Sequence, residues 1–203
     1  MSENPAPEES APVDDARPGK SARTRRALRD AALRHFVAHG VDGASVPAIA
    51  AEVGVTERTF YRHFATKDEV LFGDLVTRLA WFSQALHERP ADEDVIRSVL
   101  AALGSAPIDP RLMVEIARLR AQLLSPDRIE ETYRDRQGAM ARELRVLLRE
   151  RGADDLIATV RAEAVAGAVF GALTVWTEGD DHELNDLYRL TQQALEMLRP
   201  VLG

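Results

Sequence analysis

Apolar residues along this chain recur at intervals of three and four, and no stretch alternates apolar with polar over the length of a strand. The pattern predicts an all-α fold, and its punctuation divides it into about nine helices. A first run from Ser21 to His39 turns Leu28, Ala31, Ala32 and Phe36 to one side and closes at Gly40. Short runs follow from Val46 to Val53 and from Glu57 to Phe64, with Ser45 and Thr56 placed to accept bonds from the orphan N–H groups of a helical start. A helix from Thr66 to about His87 stops at Arg89-Pro90 and spans roughly 33 Å. Beyond it come Ala91 to Leu103, a helix to Leu124 opened by Asp109-Pro110, and one to about Arg151 opened by Ser125-Pro126 and ended by Gly152. Asp155 to Glu178 is the most apolar helix, and after an acidic loop from Gly179 to Glu183 a last helix runs to about Leu202.

The chemistry concentrates between Ser45 and Leu71. Gly54-Val55-Thr56 is a short glycine-containing turn between two helices, the signature of a helix-turn-helix. Phe60 and Phe64, four apart, point inward, which leaves Arg58, Thr59, Tyr61 and Arg62 on the outer side. Arg can bond a guanine edge bidentately, Thr can offer a hydroxyl or methyl to a base, and Tyr can donate to a phosphate. Thr66-Lys67-Asp68-Glu69 reads as a capping box with Lys67 at the mouth of the next helix, an arrangement suited to a phosphate. Ser45, Thr56 and His63 complete the candidate DNA-facing set of this segment. Upstream, Lys20, Arg23, Arg25 and Arg26, followed by Arg29, are expected along a neighbouring phosphate strand or in the minor groove.

A net charge of −7 argues against a nucleic-acid partner until the charge is located. Met1 to Gly19 holds one base against five acids; Lys20 to Lys67 holds nine against four, a net of +5; Asp68 to Gly203 holds sixteen against twenty-four. The one positive block coincides with the motif, as expected of a basic head on an acidic body. Residues 1–19, rich in Pro, Glu, Ala and Ser, are expected to be a disordered acidic tail, 20–67 the DNA-binding domain, and 68–203 a helical domain for ligand binding and dimerisation. The absence of cysteine removes disulfides and thiolate metal sites and fits a cytoplasmic protein. No apolar run approaches the roughly 20 residues of a bilayer span, so no membrane association is expected.

From Thr24 to Phe72 the chain resembles the TetR family of bacterial transcriptional regulators. The matching elements are Ala31-Ala32, Leu33, Phe36, Gly40, Ser45-Val46, Ile49-Ala50, Gly54-Val55, Phe60-Tyr61, His63-Phe64, Lys67 and Leu71. Ser45 stands where Thr is commoner in that family, and His35 where an apolar residue is usual. The resemblance implies a ligand-responsive, sequence-specific DNA-binding regulator that dimerises through its last two helices. It would be a repressor released from a palindromic double-stranded DNA operator by a small-molecule effector. The C-terminal half loosely resembles a subgroup associated with acyl-CoA-like ligands.

The residues themselves support a paired body. The helix from Asp155 to Glu178 carries small side chains on several faces, and with Leu184, Leu187, Leu190, Leu195 and Leu198 of the last helix it is a candidate two-fold four-helix interface. Candidate effector-binding residues are Trp81, Phe82, Met113, Ile116, Met140, Phe170 and Trp176, with Arg120 on the face of Met113 and Ile116 and needing an anionic partner if buried. An enzyme is the rival from another class, but the chain has no G-x-S-x-G, P-loop, HExxH, G-x-G-x-x-G or cysteine nucleophile, and neither a cofactor nor a metal is expected. His35 and His39 lack both the intervening Glu and a third ligand, and Asp180-Asp181-His182-Glu183 reads as a solvated connector. A non-specific architectural DNA-binding protein is the other alternative.

Overall fold

The computed structural model describes residues 19–106, 110–179 and 183–202. The expected tail (apart from Gly19), the Asp109 cap and Asp180-Asp181-His182 lie outside the described residues. Among those described the secondary structure is helical throughout: α1 (Lys20–Gly43), α2 (Val46–Glu52), α3 (Glu57–His63), α4 (Glu69–His87), α5 (Val95–Gly104), α6 (Pro110–Leu123), α7 (Pro126–Glu150), α8 (Asp155–Glu178) and α9 (Leu184–Leu202).

The starts fall where short polar side chains meet orphan N–H groups. Ser125 Oγ accepts from Arg128 N at 3.4 Å, and Asp154 Oδ1 from Ile157 N at 2.9 Å. Two starts lie later than the sequence predicts. α5 begins at Val95 rather than Ala91 because Asp94 accepts from Arg97 N at 3.1 Å and becomes the cap. α4 begins at Glu69 rather than Thr66: Thr66 Oγ1 does accept from Glu69 N at 3.2 Å, and Glu69 reaches back to Ala65 N. The turn between them, however, is closed by Lys67 O to Val70 N and Asp68 O to Leu71 N, a tighter winding than an α-helix. α1 extends past His39, but Gly40 sits at φ 70° inside it, so the regular helix does break there and a short second turn carries the chain on to Gly43.

The first three helices enclose their own core. Leu28, Ala31, Ala32 and Phe36 of α1, Ile49 and Ala50 of α2 and Phe60 of α3 are all essentially solvent-free. Val70, Leu71 and Phe72 of α4 continue that core into the body, where α4 lies against α5, α6 and α7. The most extensive packing is of α7 on α8 and α8 on α9. α8 is long and apolar enough, by length and composition, to cross a bilayer; ten of its residues are buried within the described chain, as in a core helix.

The leucines of α9 face inward rather than outward. Leu187 and Leu195 are buried, and Leu184, Leu190 and Leu198 pack against the same core, so that stripe serves the subunit itself. The exposed apolar positions on these two helices are instead Leu156, Ile157, Val160 and Val175 of α8, with Tyr188 and Met197 of α9.

Candidate nucleic-acid interface

α2 and α3 are held at a fixed angle by their caps and by one glycine. Ser45 Oγ accepts from Ala48 N at 3.4 Å, with Pro47 in the opening turn, where its missing N–H is no loss. The helix ends in a turn closed by Gly54 N to Ala51 O and Val55 N to Ala50 O at 3.0 and 2.9 Å, and Gly54 takes φ 73°, a conformation unfavourable for residues with a Cβ. Thr56 then caps α3, accepting from Thr59 N at 3.3 Å while its hydroxyl lies 3.1 Å from that of Thr59.

Phe60 anchors α3 from beneath, fully buried and 5.5 Å from the rings of both Tyr61 and Phe64. Arg58, Tyr61 and Arg62 stand exposed on the opposite side with Thr59 half-buried beside them. Arg58 and Arg62 make no ion pair with the described residues, so their donors are available to an external acceptor. Lys20, Arg23 and Arg26 are likewise exposed at the start of α1.

Three of the candidates have internal duties. Arg25 is half-buried; its Nη1 donates to His63 O at 2.5 Å and its guanidinium lies 4.5 Å from the centre of the Phe64 ring. It therefore clasps the C-terminal end of α3, where helical carbonyls carry partial negative charge, rather than facing outward. A Cβ at Gly73 would lie 3.0 Å from Arg25 Nη2, so this glycine leaves space for the clasp. Lys67 Nζ donates to Asp42 O at 2.8 Å and Ala44 O at 3.2 Å, bracing the corner between α1 and α2. His63 is half-buried with Nε2 unpartnered. Burial first, then the charges of Arg62 and Arg25, push its imidazole below its ordinary value, so it is neutral near pH 7. His35, the unusual residue in α1, lies with Nε2 2.9 Å from Glu52 Oε2 while Arg34 takes the other carboxylate oxygen, and together they tie α1 to α2. These bonds lower the Glu52 carboxyl below its ordinary value, Arg34 contributing most.

The head is also tied to the body. Arg128 of α7 donates to both oxygens of Asp68, at 3.0 and 2.5 Å, and through Nη1 to Asp42 at 3.1 Å. Arg120 of α6, which is buried, donates through Nε to Leu71 O at 2.5 Å, and its guanidinium lies over Phe72 at 4.9 Å. The Nε of this buried guanidinium is thus met by a backbone carbonyl.

The body contains a cleft between α4, α5, α7, α8 and α9 with about 780 Å³ of atom-free space counting its open mouth; a water-molecule centre can occupy about 70 Å³ of it. Phe82, Met140 and Phe170 line it, as the sequence suggests. Trp81, Met113, Ile116, Arg120 and Trp176 do not. Trp81 lies near the surface and donates to Ser105 Oγ at 3.1 Å, Met113 Sδ receives Arg78 Nη1 at 3.1 Å, Ile116 is core, and Trp176 Nε1 donates to Glu183 O at 2.9 Å. The sequence reading missed Arg78, Arg136, Tyr188 and Thr191, which supply the polar part of the lining. Their only signal was a polar residue recurring at helical spacing among apolar ones.

Residues 28–72 match the family model described as bacterial regulatory proteins, tetR family. The chain is 30% identical over 198 residues to the HTH-type transcriptional regulator TcmR of Streptomyces glaucescens, spanning 90% of this chain and 86% of that one. Over 55 residues it is 47% identical to the HTH-type transcriptional regulator SrpR of Pseudomonas putida, 27% of this chain and 26% of the relative. Among solved structures it is similar to SmeT, the repressor of the Stenotrophomonas maltophilia multidrug efflux pump SmeDEF, with TM-score 0.53, 26% identity, and 89% and 91% of the two chains covered. A TetR-family regulator from Mesorhizobium loti shares the fold, with TM-score 0.52, 21% identity, and 90% and 98% covered.

Proposed function

The chain belongs to the TetR family of bacterial regulatory proteins, transcriptional regulators rather than enzymes, and from that premise we propose a ligand-released repressor that acts on a palindromic operator as a homodimer in the cytoplasm. The observation that carries this reading is the outward row of α3. Arg58, Thr59, Tyr61 and Arg62 stand on a helix capped at Thr56 and anchored by Phe60, in the one basic block of an otherwise acidic chain. Arg58 and Arg62 read base edges, while Tyr61, Ser45, Thr56 and the exposed Lys20, Arg23 and Arg26 meet phosphates. Arg25, Lys67 and His63 act mainly by holding α3 and the corner before α2 in place.

One such head would bind weakly; two heads about one helical turn of DNA apart would read a palindrome. The second copy is supplied by the outward face of α8, where Leu156, Val160, Gly171 and Val175 fall on one stripe, with Met197 exposed on the adjacent α9. A Cβ at Gly171 would meet nothing within 4 Å in the subunit, so the glycine serves no internal contact and permits close approach of a partner helix. A small molecule in the cleft between α4 and α9 would favour one tilt of α4 over another, and only its differential affinity for the two states can alter operator binding.

The test is fluorescence anisotropy with labelled fragments of the promoters adjoining its gene, against scrambled fragments at the same salt concentration. Tight binding to one fragment and weak binding to its scrambled form is expected. Equal affinity for both would favour a non-specific architectural role and overturn the repressor reading.

A further inference from the structure

Resting on the reading of the cleft as an effector site, we propose that the effector is an amphipathic carboxylate, held by its apolar body along the cleft walls and by its carboxylate at Arg136. The walls are hydrocarbon: Leu79 and Phe82 of α4, Leu103 of α5, Met140 of α7, Phe170 of α8 and Leu187 of α9 all face the space. Two cationic side chains, Arg78 and Arg136, line it, and among the described residues no Asp or Glu does. The hydroxyl of Thr191 is committed to Leu187 O at 2.8 Å. Arg136 Nε is buried and has no hydrogen-bond partner in the described chain.

A buried donor on a permanently charged group is unfavourable unless an acceptor reaches it, and the planar fork of a guanidinium matches the two oxygens of a carboxylate. A neutral apolar molecule of the same shape fills the walls but leaves Nε unsatisfied. A cation is opposed by the charge of Arg136 and gives its Nε no acceptor. The free space is also narrow as it stands, so entry of a long apolar body must part the helices around it, and α4 is one of them.

Decanoate and decan-1-ol, matched in chain and differing in the head group, are titrated into the full chain by isothermal calorimetry, with thermal shift as a second readout. Decanoate is expected to bind at least about tenfold tighter than decan-1-ol, because its carboxylate offers the guanidinium two charged acceptors where the hydroxyl offers a single neutral one. Arg136→Met is expected to reduce that preference to near unity. Equal binding of the two probes, no binding of decanoate, or a preference that survives in Arg136→Met overturns the proposal. Circular dichroism checks that the variant folds; if it does not, Arg136→Lys is measured, and it must weaken decanoate more than decan-1-ol for the proposal to stand. Specific operator binding by a chain that shows no decanoate preference would sink the ligand class alone, whereas loss of operator specificity would sink the regulator reading.

Discussion

Arg128 is where the reading head is tied to the body by side-chain charge, and its removal has a magnitude that follows from the geometry. Its two contacts are unequal. The Asp68 carboxylate is gripped bidentately by Nε and Nη2, with Arg128 34% and Asp68 28% exposed, whereas the Asp42 side chain is 85% exposed. The Arg128 guanidinium is accordingly raised above its ordinary value, with the Asp68 hydrogen bonds the largest cause. An exposed pair contributes about 0.2–1 kcal/mol, and a hydrogen bond to a charged group about 1.5–3 kcal/mol when solvent is excluded. With a third of the guanidinium in solvent, the Asp68 arm is discounted to about 1 kcal/mol and the Asp42 arm to about 0.3 kcal/mol. Arg128→Gln should then lower Tm by roughly 3–5 °C for a chain of this size. The assay is urea denaturation of a double-mutant cycle with Asp68→Asn and, separately, Asp42→Asn, at low and at high salt. A coupling near 1 kcal/mol with Asp68 and near zero with Asp42 is the expected outcome. Coupling to Asp68 below about 0.3 kcal/mol, or larger coupling to Asp42, would refute the reasoning.

Thr56→Ala should destabilise α3 by about 1 kcal/mol and reduce operator affinity on every sequence; unchanged affinity in anisotropy would show that DNA binding orders α3 regardless of its cap. Lys67→Ala should weaken operator binding while leaving the slope of log affinity against log salt nearly unchanged, because the ammonium braces the carbonyls of Asp42 and Ala44; a slope reduced by about one would reassign it to a phosphate. Arg62→Ala should cost about 1–3 kcal/mol on the operator and relax preference at particular base pairs, and a uniform loss across all single-base variants would place it on the backbone instead. The Glu93 carboxyl is held at about 2, first by its bond to Arg89 and then by Ser98 Oγ. Its folded value lies below its ordinary 4.5, so its contribution is present above that value and is lost as pH falls toward 2. The gap in urea midpoint between wild type and Glu93→Gln should close between about pH 5 and about pH 2, and a gap that stays constant would contradict this assignment.

What the sequence reveals and what it conceals divide along the distance between partners. Ser45, Thr56 and Thr66 accept bonds from N–H groups three residues on, and the outward row of α3 follows from the burial of Phe60 beneath it, so a local pattern suffices for each. Arg25 and Lys67 look from sequence like two more cations beside a DNA-reading helix, yet their acceptors, His63 O and the carbonyls of Asp42 and Ala44, are chosen by tertiary packing. The leucines of α9 show the same limit in another form: periodicity marks an apolar face but does not say whether that face meets its own subunit or a second copy. For the cleft, apolar spacing identifies Phe82, Met140, Ile116 and Trp176 alike as interior residues. Only the packed arrangement separates the first two, which border free space, from the last two, which are surrounded by neighbours. Arg136 was hidden because α7 reads as a polar helix around it.

The placement of α4 gives the cleft a mechanical route to the DNA-reading helix. Its first turns carry Val70, Leu71 and Phe72 into the core shared with the head, and Leu75, Leu79 and Phe82, farther along the same rod, face the cleft. The two sets of residues lie on one continuous helix, so a displacement of the cleft-lining turns would be carried along it toward Leu71. Arg120 and Arg128 decide what happens there. Arg120 grips Leu71 O from α6 and Arg128 grips Asp68 from α7, one residue before α4 begins, so the body holds the near end of the rod from two sides. With that end held, the widening proposed for an effector-filled cleft would be converted into tilt about Asp68 and Leu71, and Phe64, buried in the core it shares with Leu71 and Phe72, would deliver it to α3. A loosened Arg128 removes one of the two grips, and effector binding in Arg128→Gln should therefore release operator less completely than in the wild type, even where the affinity for the effector is unchanged.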